Sequence, residues 1–126
     1  MIAALSTQTR KRILVVEDEA SSRLALVKLL GWGYDVVSAA DGIEGFDAAL
    51  RSRPDLIITD VSMPKLDGFG MVRRLRVAGV KAPVIFVTAR ERAQDVIAGI
   101  QAGARHYVVK PIRIDDLEDK IRKIFS

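Results

Sequence analysis

The chain contains no cysteine, which excludes disulfides, thiolate metal sites and cysteine nucleophiles. No apolar run approaches the roughly 18 residues that a membrane-spanning helix needs. Met1-Ile2-Ala3-Ala4-Leu5 is too short for a signal-peptide core and has no basic segment before it, so a soluble, cytoplasmic protein is expected. Aromatics make up only 6% of residues and do not interleave with basic side chains as in a single-strand nucleic-acid groove. The formal charge of +4 does not reverse that exclusion. Arg10, Lys11 and Arg12 are three of the 20 basic residues, which leaves 17 against 16 acidic ones over the rest of the chain. Direct nucleic-acid binding is therefore not expected. The sequence shows no solenoid repeat or low-complexity tract, and a second domain within it is not expected.

What is present is enough apolar residues, 49% of 126, to fill one core. Residues 1–11 lack periodicity and read as a flexible N-terminal extension, with the folded domain over 12–126. Within it one unit recurs. Short apolar runs at Ile13–Val16, Tyr34–Ser38, Leu56–Thr59, Val84–Val87 and Tyr107–Val109 read as strands. Helical spacing follows each: Leu24, Val27 and Leu30; Ile43, Phe46 and Ala49/Leu50; Val72 and Leu75 after Asp67-Gly68; Val96, Ile97 and Ile100; and Ile114, Leu117, Ile121 and Ile124. Gly31 and Pro54 stop the first two helices, and Trp32 is expected to cap the first. Asp115 and Asp116 open the last helix while Lys120, Arg122 and Lys123 close it, complementing its dipole.

Strands alternating with helices imply an α/β fold, a doubly wound five-stranded parallel sheet covered on both faces. The first, third and fourth strands are uniformly apolar and belong inside. The second and fifth are mixed and belong at the edges. A flavodoxin-like 2-1-3-4-5 order satisfies this and puts a switch point between the first and third strands, where ligands bind beyond the carboxyl ends. Those ends carry Glu17-Asp18-Glu19, Asp60, Thr88 and Lys110-Pro111. Converging carboxylates either raise a pKa or recruit a cation, and an all-oxygen set with few protein ligands suits Mg²⁺. Each residue alone has a plainer reading: acids at a helix start, an aspartate in a turn, a threonine cap, a solvated lysine. All four at the strand ends together favour a phosphoryl-transfer site with Asp60 as nucleophile and Lys110 offsetting oxygen charge.

Ile13–Glu19, Asp60-Val61-Ser62-Met63-Pro64-Lys65-Leu66-Asp67-Gly68, Val87-Thr88-Ala89 and Tyr107-Val108-Val109-Lys110-Pro111 resemble the motif series of response-regulator receiver domains of the single-domain chemotaxis-regulator type, over residues 12–125. The resemblance implies a two-component signalling switch, a phosphoprotein of a phosphorelay. Asp60 takes a phosphoryl group from a sensor histidine kinase or histidine phosphotransfer protein. Asp18, Asp60 and the Ser62 backbone carbonyl hold Mg²⁺, with Glu17 reaching it through water. Lys110 bonds the phosphoryl oxygens, its Lys110-Pro111 peptide being cis, and Thr88 and Tyr107 are the switch pair. Such a domain catalyses its own phosphorylation and dephosphorylation but acts primarily as a switch.

The implied target surface is the fourth helix, fifth strand and fifth helix. Gly99 makes the fourth helix mobile, since mid-helix glycine costs about 0.5–1 kcal/mol relative to alanine. Ser62 and Arg90 flank the site as modulators of the phosphorylated state's lifetime, with Ser62 too short to shield it. Arg105-His106 stand where the family often has acidic or amide residues, and His106 reads as a surface residue. The alternative is a receiver fragment of a larger regulator with a DNA-binding or enzymatic output domain. An unphosphorylated docking domain is disfavoured by the intact site. A haloacid-dehalogenase-like phosphatase needs Asp-x-Asp where Glu17-Asp18-Glu19 stands, and three acids there would repel a flavin phosphate.

Overall fold

In the computed structural model, which describes residues 10–126, the uniformly apolar runs form extended strands and the turns fall at glycine, proline and acidic residues. The elements are β1 (Arg12–Val16), α1 (Ala20–Leu30), β2 (Asp35–Ala39), α2 (Gly42–Ser52), β3 (Leu56–Thr59), α3 (Gly68–Val77), β4 (Val84–Thr88), α4 (Ala93–Gln101), β5 (Ala104–Val109) and α5 (Ile114–Phe125). All strand pairs are parallel, and the order is β2-β1-β3-β4-β5 as expected. β5 begins at Ala104 rather than Tyr107, because an edge strand tolerates the polar Arg105-His106 pair. Most of the proposed extension lies outside the described residues. Arg10 and Lys11 already touch the domain, through the Gly31 carbonyl and the Phe125 ring respectively.

The two-residue period of the strands builds two cores. Leu14, Val16, Ile57 and Phe86 face α2 and α3, meeting Ala48, Ala49, Met71, Val72 and Leu75. Ile13, Val15, Leu56, Ile58, Ile85 and Val87 face α1 and α5, meeting Leu26, Leu30, Leu117 and Ile121. Fully burying one such side chain contributes about 1.5–3 kcal/mol, so Leu117 and Ile121, both 0% exposed, pin α5 to the sheet.

Several helix faces differ from the periodic reading. Leu24, Ile43, Leu50, Ile97 and Ile100 are exposed rather than packed inward. On α2 the sheet-facing positions are Gly45, Ala48 and Ala49, and on α4 Gly99 is buried with Ala98 packed nearby. Small residues let these helices lie close to the sheet, and the larger aliphatics then point away. Trp32 does not cap α1. The Gly31 N–H does so by donating to the Val27 carbonyl, and Trp32 lies beyond it, 89% exposed.

Candidate functional site

The sheet ladder continues one residue past the strands and holds the site backbone. Asp60 N–H donates to the Val16 carbonyl at 3.0 Å, Lys110 N–H to Thr88 at 2.8 Å, and Glu17 N–H to Ala39 at 3.1 Å. Beyond β3 the chain doubles back into α3, whose N-cap Asp67 accepts from Gly70 N–H at 2.7 Å. Gly68 is needed there, since a Cβ would stand 2.1 Å from the Asp60 carbonyl oxygen. Any side chain would push α3 away from Asp60.

Glu17, Asp18 and Asp60 offer carboxylate oxygens that all lie within 4.8 Å of one another. Glu17 is 3% exposed and Asp60 9%, whereas Asp18 is exposed to solvent. Lys110 Nζ donates to Glu17 Oε1 at 2.6 Å and to Asp60 Oδ2 at 3.1 Å, so one ammonium spans the two buried acids. Burial raises the Glu17 carboxyl above its ordinary range, and the Lys110 contact offsets only part of that. Burial by itself would pull the Lys110 ammonium down. Its bonds to Glu17 and Asp60 outweigh this and hold it above the usual lysine range. Three carboxylates against one ammonium leave room for a hard cation. Oxygen-only donors with one member open to solvent fit an ion that keeps several waters.

Glu19 does not join this cluster. It is the N-cap of α1, accepting from Ser22 N–H at 3.0 Å and from the Ser21 and Ser22 hydroxyls, and those bonds bring its pKa down to about 2. The helix-start reading therefore applies to Glu19 and not to Glu17.

Thr88 is 1% exposed at the end of β4, and its Oγ1 accepts from Arg90 N–H at 3.3 Å. Tyr107 is half-buried on β5, its ring 6.2 Å from that of Phe86 and its hydroxyl donating to the Arg90 carbonyl at 2.9 Å. Burial, followed by the nearby Asp95 charge, raises the Tyr107 pKa. Arg90 Nε donates to Ser62 Oγ at 2.7 Å, which joins directly the two positions expected to flank the site. The Lys110-Pro111 peptide bond is cis. Two side chains make contacts that went unread in the sequence: Lys110 with Glu17, and Arg90 with both Ser62 and Asp95. Lys110 and Glu17 both stand at strand ends, which was a signal for the first. The second carries no sequence signal.

A 2-1-3-4-5 parallel sheet with an acidic trio and a lysine beyond β1, β3 and β5 defines a receiver-type site. A family model described as the response regulator receiver domain matches residues 13–122, and the chain belongs to that family. It is 43% identical over 116 residues to the probable transcriptional regulator ycf27 of Porphyridium aerugineum, an alignment covering 91% of this chain and 48% of that one. It is 40% identical over 114 residues to the response regulator MprA of Mycobacterium leprae, covering 90% of this chain and 50% of the relative. The chain thus spans about half the length of these relatives. Among solved structures, the chemotaxis protein CheY4 of Vibrio cholerae superposes with a TM-score of 0.85 at 30% identity, covering 92% of this chain and 99% of the other. The receiver domain of the Francisella response regulator 1452 gives 0.86 at 28% identity, covering 91% and 96%. Among the described residues no helix is long and apolar enough to cross a membrane.

Proposed function

We propose that this receiver domain accepts a phosphoryl group on Asp60 from the phosphohistidine of a sensor kinase or phosphotransfer protein. The observation that carries the reading is the single Lys110 ammonium bonded to both Glu17 and Asp60 beside Asp18. An oxygen of the Asp60 carboxylate attacks phosphorus, an O–P bond forms, the P–N bond breaks, and its electron pair leaves on the imidazole nitrogen. Lys110 moves with the developing charge, trading a carboxylate partner for a phosphoryl oxygen. Asp18, Asp60 and the Ser62 carbonyl would hold Mg²⁺, with Glu17 acting through water. That ion would supply electrostatic stabilisation of the equatorial oxygens. Attack of water on phosphorus later breaks the Asp60 O–P bond, releasing inorganic phosphate and regenerating the Asp60 carboxylate.

Phosphorylation adds charge and three acceptor oxygens at the sheet edge. The Thr88 hydroxyl turns toward them and Tyr107 follows, shifting a two-state equilibrium of the α4-β5-α5 face. The exposed Ile97 and Ile100 on α4 give that face apolar anchors for a downstream protein. In a longer protein resembling the regulators above, the target would be an attached output domain, the reading favoured by their roughly twofold greater length. Incubation with acetyl phosphate tests the chemistry. Labelling is expected with Mg²⁺ and should vanish on chelation, whereas labelling that survives chelation contradicts the metal's role.

A further inference from the structure

Arg90 is the residue through which the outer loops of the site hold one another. Its Nε donates to Ser62 Oγ at 2.7 Å, joining the β4–α4 loop to the β3–α3 loop across 28 positions. A guanidinium nitrogen of the same side chain reaches Asp95 Oδ1 at 3.5 Å, in the first turn of α4. Its backbone carbonyl accepts from the Tyr107 hydroxyl, and its N–H donates to Thr88 Oγ1. The two side-chain links are unequal. The Ser62 bond is short, and the Asp95 contact sits at the outer limit of a hydrogen bond. The N-cap of α4, Arg92, makes no side-chain cap bond, so Asp95 carries the side-chain tie between this loop and the helix start.

We propose that Arg90 is a positioning residue that couples the phosphorylated state to α4 by keeping Ser62 and exchanging Asp95 for phosphoryl oxygens. This rests on the reading of Asp60 as acceptor. Ser62 lies two residues beyond Asp60, so its bond holds the guanidinium beside the acceptor. A phosphoryl group carries about −1.5 to −2 charge and three acceptor oxygens. A guanidinium matches it with a planar fork. A single carboxylate at 3.5 Å, on an arginine whose side chain is 42% exposed, competes poorly with that. When the guanidinium turns, Asp95 loses its tie, and the Arg90 carbonyl carries the Tyr107 hydroxyl with it. Helix α4 and Tyr107 then receive the signal through the Arg90 side chain in addition to the Thr88 hydroxyl, to which the Arg90 N–H is bonded.

The test is a set of amide spectra of the full chain with and without beryllofluoride and Mg²⁺, saturation being judged from the amides of residues 61 and 62. In the wild type, residues 93–97 and Tyr107 are expected to shift along with 61 and 62. Arg90→Ala at saturation should lose the 93–97 shifts and reduce the Tyr107 shift, and Arg90→Lys should restore them in part. Asp95→Asn should move residues 93–97 toward their activated positions without beryllofluoride, which a merely structural role for Arg90 does not predict. If Arg90→Ala shifts residues 93–97 and Tyr107 as the wild type does, or if Asp95→Asn leaves 93–97 in place, the coupling is overturned while the acceptor assignment stands. If residues 61 and 62 fail to respond in the wild type, both fall.

Discussion

Lys110 Nζ lies 2.6 Å from Glu17 Oε1, closer than its 3.1 Å contact with Asp60, although 93 positions separate the pair. The Glu17 side chain is only 4% exposed, so this ammonium is what makes a buried carboxylate tolerable. The same contact keeps the lysine beside Asp60, the proposed acceptor.

Replacing Lys110 with methionine leaves Glu17, Asp18 and Asp60 without a cation. Unfolding in chelator should show a loss of about 1–3 kcal/mol, the cost of an unsatisfied buried polar group. Mg²⁺ should then stabilise the variant more than the wild type, because ligand that binds only the folded state adds to stability by mass action. An equal Mg²⁺ effect on both proteins would show that the lysine and the metal do not share these carboxylates.

Gly99 seats the Tyr107 ring. A Cβ at this position would stand 2.7 Å from one ring carbon and 2.9 Å from another, with Phe69 behind. Gly99→Ala should therefore cost about 1–3 kcal/mol through overpacking, despite the better helix propensity of alanine. Gly33→Ala, where nothing lies within 4 Å, is the control and should change the urea midpoint little. A stabilised Gly99→Ala protein would mean the ring moves out freely.

His106 gives stability a pH dependence of known sign. Burial first, then the charges of Lys120, Arg105 and Lys123, lower its pKa in the folded state, with Asp116 opposing. Protonation is thus disfavoured by folding. The stabilising contribution is complete above the unfolded histidine pKa of about 6.5 and is lost as pH falls through the lower folded value. Urea midpoints of the wild type should drop between neutral and mildly acid pH more steeply than those of His106→Gln. Parallel curves would remove His106 from the account.

The strands and the site were legible for one reason. In a parallel sheet, the carboxyl ends of the strands, such as Val16, Thr59 and Val109, must share an edge, so the residues that follow them meet. Helix orientation was less legible. Ile43, Leu50 and Ile100 keep helical spacing yet point outward, because Gly45, Ala48 and Gly99 are the residues small enough to face the sheet. A hydrophobicity pattern weights large side chains and misses a close-packed face made of small ones. The Arg90–Ser62 bond was invisible for another reason, since it depends on two rotamers meeting across loops.

That bond also alters what to expect of the phosphorylated lifetime. A guanidinium turned onto the phosphoryl oxygens, as proposed, would cover the approach of the hydrolytic water, so Arg90→Ala should shorten the half-life of phosphorylated Asp60. Ser62 is too short to shield anything itself, but it anchors the guanidinium at 2.7 Å. Ser62→Ala should therefore shorten the half-life in the same direction by a smaller factor. A longer half-life in Arg90→Ala, followed by decay of radiolabel after donor removal, would mean that arginine assists hydrolysis.

The central claim is that Asp60 is the phospho-acceptor, and intact-mass spectrometry after incubation with acetyl phosphate and Mg²⁺ tests it most directly. The wild type should gain the mass of one phosphoryl group, with fragmentation placing it on Asp60. Asp60→Asn should fold normally and gain nothing, whereas equal labelling of the wild type and Asp60→Asn, or a phosphoryl group mapped elsewhere, contradicts the account.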